Sequence, residues 1–169
     1  NRGGEDRAYA QNVNQQTYNL IQDFESGASS ATDCWTAYNQ SSTPTTNAFF
    51  TGTTVVHGGT TSGGLYSCCG GTATNTPSYY ISPALSSGSH TVDFFVRQSS
   101  FFGEDFEIGT VSDNQGSNFT LLHTISSWPS TSDWQPVNIS ITTDATNNRI
   151  AFRVPSSSLK TYYIDDIVL

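Results

Sequence analysis

Apolar and polar positions alternate in short runs along the second half of the chain. Residues 79–81, 91–98, 106–112, 120–126, 135–142, 149–154 and 162–169 read as strands. The clusters Ser86-Ser87-Gly88, Asp113-Asn114-Gln115-Gly116 and Thr146-Asn147-Asn148 punctuate them as turns. Strands at this spacing, with no helical period between them, predict an antiparallel sandwich or barrel. The first half is less regular. Residues 21–25 predict a first strand, Ser26-Gly27 a turn and Trp35 a core anchor, with Trp134, Phe94 and Phe152 also expected inside. Between 39 and 78 the apolar pieces at 48–50 and 53–56 predict short strands within long loops. Gly58, Gly59, Gly63, Gly64, Gly70 and Gly71 precede no Gly-Lys-Ser/Thr and no helix, so loop flexibility is expected of them rather than phosphate binding. Residues 1–20 are a polar arm in which Tyr9 and Val13, with Ile21 beyond it, would give an extended strand one weakly apolar face. The expected organisation is therefore an arm over 1–20 and one sandwich domain over 21–169.

The final strand poses a chemical problem. In strict alternation Tyr163, Asp165, Ile167 and Leu169 share one face, and Tyr162, Ile164, Asp166 and Val168 the other. Each face then carries an acid among apolar side chains. A carboxylate so placed needs hydrogen bonds, a cation or open water.

Composition narrows the partners. The net charge is −8 and the six basic residues are scattered, which argues against binding a phosphate backbone and hence nucleic acid. No apolar run approaches the roughly 18 residues needed to cross a bilayer. The sequence has no Met and opens on Asn1, which points to a processed, secreted segment. Cys34, Cys68 and Cys69 leave three arrangements open: a bridge from Cys34 to one of the adjacent pair, three reduced thiols, or a vicinal Cys68-Cys69 disulfide. The first would close a loop of about 35 residues and contribute roughly 3 to 4 kcal/mol. Zinc is not expected, because the pair lacks a second pair at ligand spacing.

The ordered set Phe24-Glu25-Ser26, Trp35, Ile81-Ser82-Pro83-Ala84-Leu85, Val92 to Val96, Phe106 to Ser112, Phe119 to Ile125, Trp134, Ile150 to Arg153 and Tyr163-Ile164-Asp165-Asp166-Ile167 resembles the jelly-roll group of MAM-like, cleaved-adhesin and choice-of-anchor modules of bacterial surface proteins. The resemblance spans about residues 22 to 169. It implies an all-β, two-sheet, non-catalytic extracellular module with a structural calcium ion near the ends of the first and last strands. Glu25 and Asp165 stand at the matching positions, with Asp166 and Asp23 as further candidates. Calcium takes six to eight oxygens, so carbonyls of the Ser26 to Asp33 turn, or Asn39, would complete the shell.

Catalytic patterns are weak. In Gly103-Glu104-Asp105-Phe106-Glu107, Asp105 and Glu107 share a face, but Gly103 stands where a glycosidase would need a third acid, so a solvated strand edge is expected. His57, His90 and His123 have no nearby carboxylate or nucleophile in a recognisable pattern, and Ser is too abundant for any one to stand out. Trp128, Tyr66, Tyr79 and Tyr80 lie in or near predicted loops and are candidates for a glycan platform or a subunit interface. Asn39, Asn118 and Asn138 match the N-glycosylation pattern, with Asn39, in an expected loop, the most accessible. The expected function is a structural or adhesive subunit whose arm docks on a neighbouring copy and builds a surface fibre. The alternative is a carbohydrate-binding module of a secreted glycan-active enzyme.

Overall fold

A computed structural model describes residues 20–25, 35–39, 49–66, 76–99, 105–155 and 161–169. These form eleven strands: β1 (Ile21–Gln22), β2 (Thr36–Asn39), β3 (Phe49–Gly52), β4 (Ser62–Tyr66), β5 (Ser78–Ile81), β6 (Gly88–Gln98), β7 (Phe106–Val111), β8 (Thr120–Ile125), β9 (Gln135–Thr143), β10 (Arg149–Val154) and β11 (Thr161–Val168). One sheet runs β3-β4-β11-β6-β9, with β1 paired to β11, and the other runs β2-β5-β10-β7-β8. Every pairing is antiparallel. The chain is a two-sheet antiparallel sandwich, one of the two architectures its strand pattern predicts, and it has the jelly-roll form that the resemblance implies. The arm and the three cysteines lie outside the described residues, apart from Leu20, whose backbone pairs with Leu169.

Alternation fills the space between the sheets. Val92, Phe94 and Val96 of β6, Phe106 and Ile108 of β7, and Ile150, Phe152 and Val154 of β10 all point inward and are buried. Trp35 stacks on Tyr80 with ring centroids 5.0 Å apart, and Phe49 stacks on the same ring at 4.3 Å. A smaller cluster of Tyr79, Ile81, Val111 and Ala151 forms on the outer side of the β2-β5-β10-β7-β8 sheet. The 112–119 turn folds over it: Asp113 Oδ1 accepts from the amides of Gln115 and Ser117, and Gly116 passes the Tyr79 ring at φ +75°. A Cβ there would lie 2.9 Å from the ring, so only glycine fits this turn.

Several expectations need correction. The first strand stops at Gln22, because Phe24 takes φ +60° and turns the chain out of the sheet. Residues 53–56 are bends rather than a strand. Gly63 and Gly64 belong to β4, and close packing explains them better than flexibility. Most consequential is β11, where a bulge interrupts the register against β6 between Asp165 and Val168, with Asp166 at φ +50°. One extra residue resets the alternation. Tyr162, Ile164 and Ile167 all enter the core, and strict alternation on either side of Asp166 is lost.

Candidate functional site

The bulge lets both acids of β11 reach one loop. Asp165 is fully buried; its Oδ2 accepts from the amides of His57 (2.9 Å) and Gly58 (3.3 Å), and its Oδ1 from the amide of Asp166 (3.0 Å). Burial pushes its carboxyl above the usual carboxylate range, opposed by the His57 and Gly58 amides. Asp166 Oδ2 lies 2.8 Å from His57 Nδ1. The His57 ring stacks on Phe95 at 3.5 Å and meets Trp134 edge-on at 5.6 Å, while Trp134 Nε1 donates to Val56 O at 3.1 Å. Trp134 is thus a half-buried cover for this loop rather than a core anchor.

Glu25 reaches the same loop from the other side. Its carboxylate accepts from Thr60 N (2.7 Å), Thr60 Oγ1 (2.8 Å) and Thr61 N (2.9 Å). These donors hold its carboxyl below the ordinary 4.5, the Thr61 amide most of all. The Thr61 hydroxyl donates to Phe24 O. Upstream, Gln22 bridges the Phe24 amide and the Tyr80 hydroxyl. Asp23 Oδ1 accepts from the Glu25 amide at 3.1 Å. Gly58 and Gly59 exist for these contacts: a Cβ would lie 2.9 Å from Asp166 Oδ2 at the first and 2.2 Å from Glu25 Oε1 at the second, where φ is +60°.

The structure therefore brings together Glu25, Asp165 and Asp166, and leaves Asp23 outside. Sequence reasoning missed His57, Thr60 and Thr61, although the paired glycines between them were a usable signal. Asp165 and Asp166 hold the His57–Gly58 end of the loop and Glu25 the Thr60–Thr61 end. Their loop-facing oxygens are already engaged by N–H and O–H donors, and among the described residues no group of three or more His, Cys, Asp or Glu side chains is arranged to hold a metal ion. The neutral oxygens assigned to the Ser26 to Asp33 turn lie outside the described residues. Asn39 is committed elsewhere, its amide donating to Ser78 Oγ and accepting from Thr76.

The remaining candidates sort by burial. Tyr79 and Tyr80 are each 2% exposed, one under the Gly116 turn and one in the core, so neither offers a platform. Trp128 packs on Tyr162 at 5.2 Å, partly buried. Tyr66 lies on the outer side of the β3-β4-β11-β6-β9 sheet, 5.9 Å from Phe50. Asn39 sits half-buried in β2, contrary to its expected loop, whereas Asn118 and Asn138 are exposed. Glu107 is buried and ion-paired with Arg153, whose guanidinium lies 3.9 Å over the Phe119 ring, so it is no solvated strand edge. His57 has a carboxylate partner in Asp166 after all, and that pair pins the loop. His90 Nε2 instead lies 2.9 Å from Ser86 O.

No protein-family model matches the sequence, and no curated protein matches it. Solved structures do. The K1 cleaved adhesin domain of Lys-gingipain from Porphyromonas gingivalis superposes with a TM-score of 0.67 at 20% identity, covering 89% of this chain and 96% of that one. The CBM22-1 xylan-binding domain of Paenibacillus barcinonensis Xyn10C gives 0.56 at 12% identity, covering 89% and 92%. TmCBM61, solved in complex with β-1,4-galactotriose, gives 0.52 at 14% identity, covering 87% and 93%. The chain thus has the jelly-roll fold that adhesin domains and carbohydrate-binding modules share.

Proposed function

We propose that this chain is a non-catalytic, extracellular adhesive module that works through its surfaces and assembles with copies of itself by strand addition. One observation carries the reading: among the described residues, β8 is an open sheet edge. It pairs with β7 on one side, and Leu121 and Leu122 are 48% and 47% exposed. Natural edges are blunted by brevity, charge or proline. The edges β2 and β3 have four residues each, and β9 carries Pro136. β8, Thr-Leu-Leu-His-Thr-Ile, has none of these; it carries instead a bulge at Leu122, since Ile108 faces His123 and Gly109 faces Leu121, which leaves the two leucines exposed side by side. An added strand would satisfy its backbone and cover the leucines, and the arm of residues 1–20, with Tyr9 and Val13 on one face, is the donor we assign to it.

Light scattering with negative-stain imaging tests this on the intact chain, a deletion of residues 1–20, and Leu121→Lys/Leu122→Lys. Large assemblies that dissolve in both variants support strand addition; a folded monomer in all three overturns it.

A second reading, carbohydrate recognition, draws on the ligands of two proteins that share the fold, xylan and β-1,4-galactotriose, and on the outer-face aromatics Phe50 and Tyr66. Calcium at Glu25, Asp165 and Asp166 is a separate proposal. It rests on the three carboxylates gathered at one loop and on the raised carboxyl of Asp165, which a cation would relieve. Thermal unfolding in calcium against chelator checks it: a higher midpoint in calcium supports the ion, and equal midpoints leave the loop's donors as the whole compensation.

A further inference from the structure

Across the outer side of the β3-β4-β11-β6-β9 sheet, Phe50, Gly64, Tyr163 and Arg97 are successive cross-strand neighbours. With strands about 4.8 Å apart, this row is about 14 Å long. Phe50 lies down on the sheet: a Cβ at Gly64 would fall 2.2 Å from the tip of its ring. Tyr163 meets that ring edge-on at 6.0 Å and Tyr66 flanks it at 5.9 Å. At the far end Arg97 Nε donates to Thr131 O at 3.0 Å, which fixes the guanidinium.

Folding alone does not call for this arrangement. The core lies on the other side of the sheet, where Phe49 and Leu65 already serve it. Glycine weakens a strand interior by its entropy and its missing side chain. Gly63 has an inward reason, since a Cβ there would strike Phe24 and Phe49, but the atoms nearest a Cβ at Gly64 belong to the Phe50 ring. Its effect is to let a 36% exposed phenylalanine lie over β4.

We propose that the Phe50-Tyr163-Arg97 row is a binding site for a linear, neutral oligosaccharide. This deepens the carbohydrate reading above and is independent of the β8 edge. Aromatic faces stack on the apolar faces of sugar rings, while a phenol edge and a fixed guanidinium suit hydroxyl-bearing rims. A straight row across the strands matches an extended chain of rings rather than a single one. Net charge of −8 disfavours acidic sugars, because it repels anions approaching the surface. A second protein strand would lie along a sheet edge, whereas this row starts on the edge strand β3 and runs across three further strands.

The test is affinity electrophoresis of the intact chain in gels containing xylan, galactan, β-glucan or mannan, with titration calorimetry on oligosaccharides of the retarding polymer. At least one polymer is expected to retard the protein. Phe50→Ala and Tyr163→Ala should each weaken binding about tenfold, with far-UV spectra and unfolding midpoints like the parent's. Phe50→Leu keeps apolar bulk without a flat face and should bind as poorly as Phe50→Ala. Gly64→Ala should weaken binding by lifting the ring. Leu121→Lys should bind like the parent, which separates this site from assembly at β8. Retardation by none of the polymers overturns the proposal, as does retardation that Phe50→Ala and Tyr163→Ala leave unchanged. Loss of self-association rather than of glycan binding in those variants also overturns it and makes the row a protein contact.

Discussion

Gly59 and Gly88 both hold positive φ, +60° and +142°, yet they answer to different forces. A side chain at Gly59 would collide with the Glu25 carboxylate as well as strain the backbone, whereas a Cβ at Gly88 meets nothing within 4 Å. Gly59→Ala should therefore cost on the order of 2 kcal/mol from the left-handed backbone alone, and more because Glu25 must leave Thr60 and Thr61. Gly88→Ala bears only a backbone cost, and a different one, because φ +142° lies outside the left-handed α well. Urea unfolding of Gly59→Ala in the parent and in a Glu25→Ala background checks the Glu25 part; equal losses in the two would mean that the contact contributes nothing. Sequence reasoning singled out Glu25, Asp165 and Asp166 but took the nearby glycines for loose loop, because a glycine's spacing does not tell what presses on it. The same limit hid Phe50 and Tyr163, whose face depends on cross-strand register, and it misplaced Tyr79 and Tyr80, which a one-residue offset between faces sends to two different buried clusters.

At the scale of the element, β11 turns on its bulge. Asp165→Ala removes the acceptor shared by the amides of His57, Gly58 and Asp166. Leaving them without it should cost about 3 kcal/mol, read as a lower denaturant midpoint. Carboxylates elsewhere cap turns: Asp113 before β8 and Asp144 before β10, each held below its ordinary 3.8 by backbone amides, chiefly those of Ser117 and Asn147. Their folded values lie below their unfolded ones, so the stability they contribute is present above about pH 3.8 and is lost as pH falls through the folded values. Asp165 has the opposite sign. Its folded value is raised, so the folded state holds the extra proton, and its penalty lifts as pH falls from neutral toward 3.8. Unfolding followed against pH separates them: Asp113→Asn with Asp144→Asn should flatten the acid limb, and Asp165→Asn should remove the opposing slope above it. The strands from β5 to β11 were legible because turn clusters bracket each alternating run. The bulge was not, since no residue type announces an extra position and Asp166 only gains its meaning from His57 opposite.

For the whole molecule, assembly must work against the charge that keeps copies apart. Each chain carries −8, and β8 offers apolar side chains and backbone rather than ion pairs as its contact. Repulsion between copies is screened once the Debye length falls to about 10 Å near 0.1 M salt, while burial of Leu121 and Leu122 is not weakened by it. Self-association by strand addition should therefore strengthen from low to moderate salt at pH 7, and strengthen again as pH approaches the pI near 4.4. Sedimentation or light scattering across a sodium chloride series reads this directly. Assemblies that dissolve as salt rises would mean that opposite charges hold the copies together, a contact that β8 does not have and that would move the interface elsewhere on the sandwich.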